Sequence, residues 1–313
     1  MATEIYVISG FLGAGKTTLI QKLLKEAFKK EKVVLIENDF GEISVDAALL
    51  KSGGVEVKEM NSGCICCSLS GDFVKALKEL LDRFHPDKII IEPSGVGKLS
   101  DIMKACSDPR VQSFAKVKAK ITVVDVKRCQ MYLDNFGEFF EDQIKNADVI
   151  LLSRTENFPD KINDAYKLVK SLNAHSTILS KPWTQINAAD ILYPDYHVHA
   201  ENCGRAHSHA EHGHDDHCEH HHSAEEAFDT VTIRTKQTFS IEDLKARVSN
   251  MERNAEGTIL RAKGIVRGTN GYMNLQYLPG DIRITNCTSS GDMLCIIGRD
   301  INRQELCAFF SGE

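Results

Sequence analysis

Apolar residues in roughly the first 190 positions come in short continuous runs, separated by stretches with helical spacing. Residues 5–8 form one such run, as expected of a strand covered on both faces. Ile20, Leu23, Leu24, Ala27 and Phe28 then recur at the spacing of one helix face. The pattern predicts further strands at 33–36, 55–60, 89–91, 121–124 and 149–152, and a short one before Ser180. Phe73, Leu77, Leu80, Leu81 and Phe84 mark the helix after the third strand. Strands alternating with helices specify an α/β unit with a mostly parallel sheet. Between about 195 and 225 the apolar period disappears, as in a compositionally biased linker. It returns at Phe228 with strands at 231–235, 258–266, 272–278, 281–284 and 293–297. Helices are expected at 241–248 and 303–310. The reading is therefore an α/β domain at 1–194, a linker at 195–225 and a small α+β domain at 226–313, with no internal repeat.

Composition narrows the classes. A chain of 313 residues has room for two domains, each able to bury a core without disulfides. With 38 basic against 44 acidic residues, nucleic acid and anionic membranes are disfavoured as partners. No apolar run reaches the roughly 20 residues of a bilayer span. The first residues lack the basic and cleavage segments of a signal peptide. A cytoplasmic location is expected. There, ten cysteines point to metal or redox chemistry rather than to disulfides. Cys106, Cys129, Cys287, Cys295 and Cys307 are scattered and are expected as small core residues. Ten of the twelve histidines lie between His197 and His222, a tract with five acids and only Arg205 as a base.

The segment GFLGAGKTT carries the strongest chemical signal. Gly10, Gly13, Ala14, Gly15, Lys16, Thr17 and Thr18 fit a phosphate-binding loop between a predicted strand and a predicted helix. Its glycines let backbone N–H groups surround phosphate oxygens at a helix N-terminus. Lys16 would reach the β- and γ-phosphates, and the Thr17 hydroxyl would hold Mg²⁺. Glu92 ends the strand at 89–91, where a carboxylate would serve the metal or its waters. Gly95 would donate its N–H to a γ-phosphate. After the strand at 149–152, Ser153, Arg154 and Glu156 occupy the place of a base-recognition loop. A carboxylate there accepts the N–H donors of guanine but would face the lone pair of adenine N1, which favours GTP. The Arg154 stem would cover the ring. Ser180 and Lys181 also stand where a base could be touched.

Cys64, Cys66 and Cys67 follow the third strand on a loop with Gly63. Three thiols within four residues can converge on Zn²⁺, Co²⁺ or Cu⁺. Cys64 and Cys67 also form a CxxC, so a redox pair competes with a metal site.

With GFLGAGKTT, Glu37-Asn-Asp-Phe-Gly-Glu42, Gly63-Cys-Ile-Cys-Cys67, Glu92-Pro-Ser-Gly95 and Leu260-Arg-Ala-Lys-Gly264, the chain resembles the CobW-like metallochaperone GTPases over nearly its whole length. That group also includes the urease and hydrogenase nickel-insertion GTPases. The resemblance implies a P-loop NTPase domain followed by a CobW-type C-terminal module. It implies that Glu37, Cys66 and Cys67 help bind a transition metal beside the nucleotide, and that Asp39 and Glu42 lie on a switch loop near Mg²⁺. Arg154 and Glu156 stand where the family has Lys and Asp. In the histidine tract, His207, His209, His212, His214, His217, His220, His221 and His222 would bind several ions loosely. The expected activity is slow GTP hydrolysis, since no glutamine is placed to orient water. Delivery of zinc first, or cobalt second, to a client metalloprotein would be switched by GTP. A homodimer is a further expected assembly. The competing readings are a passive histidine-rich buffer and an activator of a corrinoid or metalloenzyme that uses CxCC as a redox pair.

Overall fold

A computed structural model describes residues 2–37, 56–59, 72–193 and 227–310. Its first layer system is built on β1 (Thr3–Gly10), whose apolar residues point alternately to both sides. The chain continues through α1 (Lys16–Glu26), β2 (Val33–Glu37), β3 (Glu56–Glu59), α2 (Asp72–Phe84) and β4 (Lys88–Glu92). Next come α3 (Leu99–Cys106), the short α4 (Pro109–Gln112), β5 (Ala115–Asp125), α5 (Cys129–Lys145), β6 (Val149–Ser153), α6 (Ile162–Leu172), β7 (Thr177–Leu179) and α7 (Ala188–Leu192).

These seven strands pair in the order β3-β2-β4-β1-β5-β6-β7, and every pairing is parallel. Period-two alternation divides the core. Ile5, Val7, Ile89 and Ile91 face α2, α3 and α5, whereas Tyr6, Ile8, Leu35 and Ile90 face α1 and α7. Burial on both faces explains why these strands read as unbroken apolar runs. β5 starts six residues before the expected run, because Ala115 to Lys120 alternates between buried and exposed positions instead of being apolar throughout.

The second sheet contains β8 (Asp229–Arg234), β10 (Thr258–Gly268), β11 (Gly271–Leu278), β12 (Asp281–Cys287) and β13 (Met293–Arg299), ordered β12-β11-β10-β13-β8 with antiparallel pairing. A two-residue strand, β9 (Thr238–Phe239), adds a parallel pair to β10 that the pattern did not foretell. One face is covered by α8 (Ile241–Asn254) and α9 (Arg303–Phe310). The Ser240 hydroxyl caps α8 by accepting from the Asp243 N–H at 3.0 Å. The helix runs past the expected end at Val248 because Met251 extends its buried stripe.

The other face of this sheet packs on the first unit. A register shift between Ile259 and Arg261 lets the consecutive residues Leu260 and Arg261 both turn that way. Leu260 thereby joins the core of the parallel-sheet unit, alongside Cys295 and Ile297 of β13. Phe228 anchors the contact, with ring centroids 5.0 Å from Phe139, 5.4 Å from Phe136 and 6.4 Å from Phe11.

Cys106, Cys129 and Cys295 are buried as expected, but Cys287 and Cys307 are only half-buried. Cys287 ends the outermost strand, and Cys307 lies on α9 beside the buried Leu306. Burial pushes the Cys106 thiol up to about 12 and Cys129 to about 11, so neither is a thiolate near neutral pH. No helix among the described residues is long and apolar enough to cross a membrane.

Candidate nucleotide site

The loop after β1 is shaped by positions that tolerate no side chain. Gly10 has φ 141°, and a Cβ there would stand 2.4 Å from the Val123 carbonyl oxygen of β5. Gly15, at φ 113°, turns the chain into α1, whose first residue is Lys16. The turn is closed by the Ala14 N–H donating to the Phe11 carbonyl at 3.1 Å. From below, the buried Tyr132 hydroxyl donates to the Leu12 carbonyl at 3.1 Å. The result is a half-buried arc of backbone at the carboxyl end of the central strand, where open α/β sheets take their ligands.

Lys16 is 6% exposed. Its Nζ donates to the Gly10 carbonyl at 3.0 Å and stands 3.9 Å from Glu92 Oε1. Glu92 and Glu37 are direct register partners at the ends of β4 and β2. Both line a cavity of about 280 Å³ together with Lys16, Thr17, Thr18 and Gly95. Gly95 lies so close to the loop that a Cβ would meet Leu12 N at 2.9 Å. Five expected phosphate-side residues and the expected metal ligand Glu37 thus share one wall.

On the base side, Ser153 is buried at the end of β6. Arg154 has φ 62°, and its guanidinium turns toward the phosphate loop. Nη2 donates to the Gly13 carbonyl at 3.2 Å, Nε pairs with Asp125 at 2.9 Å and Nη1 with Asp281 at 3.4 Å. Arg154 is thereby a clasp between the two units, a role its position in the sequence did not reveal. Arg128 strengthens it, pairing with Asp125 at 2.7 Å and donating to the Pro279 carbonyl at 3.1 and 3.2 Å. Glu156 Oε1 accepts the Trp183 backbone N–H at 3.1 Å. The indole N–H of Trp183 is held by the Leu152 carbonyl at 2.8 Å, and its ring edge lies 3.4 Å from where a Gly15 Cβ would be. Ser180 and Lys181 follow β7 just ahead of this Trp. Trp183, packed beside Gly15 and bonded to Glu156, is a neighbour of the site that sequence reasoning missed, although it is the single tryptophan of the chain.

The remaining walls come from the second sheet. Leu278 covers Gly13, and Arg261, Gln276, Asp281 and Arg283 complete the cavity. Arg283, Gln276, Lys263 and Cys295 stand in one row of cross-strand partners. Lys263 is 1% exposed. Desolvation pulls its ammonium down to about 8; Cys295 and Glu37 oppose the shift, and Lys16 adds to it. Basic residues at buried positions of an otherwise apolar strand were the available signal for this wall.

Asp39, Glu42, Cys64, Cys66, Cys67 and the histidines from His207 to His222 lie outside the described residues. Among the described residues no cluster of three metal-ligating side chains occurs. The geometry itself offers an anion-binding arc, two strand-end carboxylates and a basic lid, which suits a polyphosphate with a divalent cation.

The family model for the CobW/HypB/UreG nucleotide-binding domain matches residues 4–180, and that for the cobalamin synthesis protein CobW C-terminal domain matches residues 228–312. Among curated proteins, the chain is 38% identical over 178 residues to a zinc chaperone CobW of a Sinorhizobium species, covering 48% of this chain and 50% of that one. It is 33% identical over 154 residues to the Escherichia coli zinc chaperone YeiR, covering 49% and 47%. Identity is 29% over 160 residues to the zinc-regulated GTPase metalloprotein activator 1 of Schizosaccharomyces pombe, covering 49% and 39%. The chain spans about half the length of the curated relatives it matches. Among solved structures, the Zn(II)-bound YjiA GTPase of E. coli aligns over 99% of this chain and 98% of that one, at 18% identity and a TM-score of 0.47.

Proposed function

Because the chain belongs to the CobW/HypB/UreG family and carries the CobW C-terminal domain, we propose that it is a GTP-hydrolysing chaperone that delivers zinc to a client metalloprotein. The observation that carries this reading is the register pairing of Glu37 with Glu92 on the wall of the phosphate cavity. One carboxylate serves the nucleotide side and its neighbour serves the metal cargo, so occupancy of either is felt by the other. Relatives named zinc chaperones support zinc as cargo. Cobalt is second, since thiolate and imidazole suit both ions.

Cys64, Cys66 and Cys67 complete the cargo site with Glu37. β3 ends at Glu59, the register partner of Glu37. Cys64 is five residues further on, a reach of about 17 Å at most for an extended chain. The histidine tract within 195–225 is a low-specificity loading segment between units at 1–194 and 226–313. The protein acts in the cytoplasm, as a monomer or as a homodimer.

In this reading Lys16 binds the β- and γ-phosphates and the N–H groups from Gly13 to Thr18 surround them, while Gly95 faces the γ-phosphate. Thr17 and Glu92 line one cavity and offer oxygen donors, the type that Mg²⁺ takes. They would hold it with Glu42 to neutralise phosphate charge. GTP binding would bias the metal site beside Glu37, and hydrolysis would reset it.

Base selection is tested by calorimetry. Two hydrogen bonds from guanine to the Glu156 carboxylate predict GTP binding about a hundredfold tighter than ATP binding. Glu156→Ala is expected to erase most of that difference, and equal affinity for the two nucleotides in the parent protein defeats the assignment.

Deleting residues 197–222 checks the cargo sites. The shortened protein should lose more than one zinc ion per chain yet keep one tight site. Loss of all zinc with the tract would leave a passive buffer as the better reading.

A further inference from the structure

The second sheet does more than close the cavity. Its strand β10 brings Arg261 to the cavity wall, and among the described residues this guanidinium makes no hydrogen bond or ion pair. The carboxylates near it are engaged elsewhere. Asp281 meets Arg154 at 3.4 Å, Arg283 at 3.3 Å and Arg128 at 3.9 Å, and Glu92 stands 3.9 Å from Lys16. Lys16, Arg154, Arg261 and Arg283 thus line a space whose acids, among the described residues, are Glu37, Glu92 and Asp281, with Arg154 paired also to Asp125 behind it at 2.9 Å. Lys263 adds a further, buried ammonium beside Glu37 and Lys16. Holding the Arg261 guanidinium on a half-enclosed wall, with no partner among the described residues, is costly without an anion to meet it. A nucleoside triphosphate supplies one.

The register shift before Arg261 makes its direction specific. Strict alternation would set Leu260 and Arg261 on opposite faces, but both turn toward the parallel-sheet unit. Two residues along the same strand, the buried Lys263 has its ammonium disfavoured in part by Lys16, the residue that would meet the β- and γ-phosphates. Leu278, on the adjacent strand, packs on Gly13. The lid therefore covers the GFLGAGKTT loop, on the side where the β- and γ-phosphates are expected.

We infer that Arg261 is an arginine supplied within the chain to the β- and γ-phosphates, so that the C-terminal domain is a working part of the hydrolytic site. This rests on the GTPase reading above. As the water oxygen bonds to the γ-phosphorus, the bond to the β–γ bridging oxygen breaks and its electron pair passes to GDP. The water proton leaves to solvent with the inorganic phosphate. Arg261 neutralises the charge that gathers on the bridging and γ oxygens.

The test uses the full chain with Arg261→Ala, Arg261→Lys and, as a control, Arg267→Ala, an exposed residue of the same strand outside the cavity. GTP and GDP affinities are read by displacement of a fluorescent GDP analogue, and kcat and KM by phosphate release. Arg261→Ala should lower kcat about a hundredfold and weaken GTP at least tenfold more than GDP. Arg261→Lys should recover part of both losses, and Arg267→Ala should match the parent. The proposal is overturned if kcat and GTP affinity stay within twofold of the parent, or if GTP and GDP weaken equally. Should Arg261→Ala fail to fold, Arg261→Lys decides: parental discrimination between GTP and GDP with parental kcat rejects the contact. If nucleotide binding also survives Lys16→Ala, the GTPase reading itself has failed, whatever Arg261 does.

Discussion

Lys16→Ala is expected to cut GTP hydrolysis by about 100–1,000-fold while the protein stays folded. Lys16 is held inside the phosphate loop by the Gly10 carbonyl at 3.0 Å and lies 3.9 Å from Glu92. It stands at the start of α1 rather than in either side of the core, whose packing comes from Leu19, Ile20 and Leu23 of the same helix. Removing the ammonium takes the counter-charge from Glu92 and from any phosphate bound beside it. The first loss lowers the melting temperature slightly; the second removes transition-state stabilisation. Single-turnover phosphate release and a circular-dichroism melt separate the two. Hydrolysis within tenfold of the parent in a folded Lys16→Ala protein would show that the GFLGAGKTT loop is not the phosphate site.

Zinc affinity is expected to differ by about 5–150-fold between the protein bound to a non-hydrolysable GTP analogue and the GDP form, a coupling of about 1–3 kcal/mol. The GTP form should bind more tightly. The reason is geometric: Glu37 ends β2 on the cavity wall, paired with Glu92 on one side and with Glu59, ahead of the cysteine segment, on the other. A ligand that prefers one arrangement of this edge must raise the affinity of the other ligand for it, and the effect is reciprocal. Cys66→Ala combined with Cys67→Ala should abolish the difference. Thiolate coordination also requires deprotonation, so zinc binding should release protons and weaken as pH falls. The measurement is competition with a chromophoric chelator in the presence of Mg²⁺, using protein that lacks residues 197–222 so that the histidines do not mask the tight site. Equal affinities in the two nucleotide states would reject the switch.

The clasp residues tie the C-terminal unit to the loop that carries Lys16. Arg154 spans from the Gly13 carbonyl to Asp281, and Arg128 joins Asp125 to the Pro279 carbonyl. Arg128 and Asp125 are both buried, so their ion pair is shielded from solvent and tied into a network across the units. The cover that the second sheet gives the GFLGAGKTT loop is therefore held by a group, Arg154, that also touches that loop.

The sequence alone determined what depends on neighbours along the chain. β1, β2, β4 and β6 are apolar runs because parallel strands are buried on both faces, and α1 and α2 show their stripes at helical spacing. The phosphate loop was legible because each glycine answers a local demand, such as φ 141° at Gly10 and φ 113° at Gly15. Tertiary structure alone decided which distant groups meet. Arg154 finds Asp281 across 127 positions, and Phe228 joins the rings of Phe11, Phe136 and Phe139. Arg261 reaches the cavity only because a one-residue register shift in β10 overrides the period-two pattern. Residues such as Lys263 carry no local signature of their partners. Their surroundings are set by how one sheet lies on another, and that contact is won by apolar burial at Phe228, Leu260 and Ile297, far along the chain from the loop it completes.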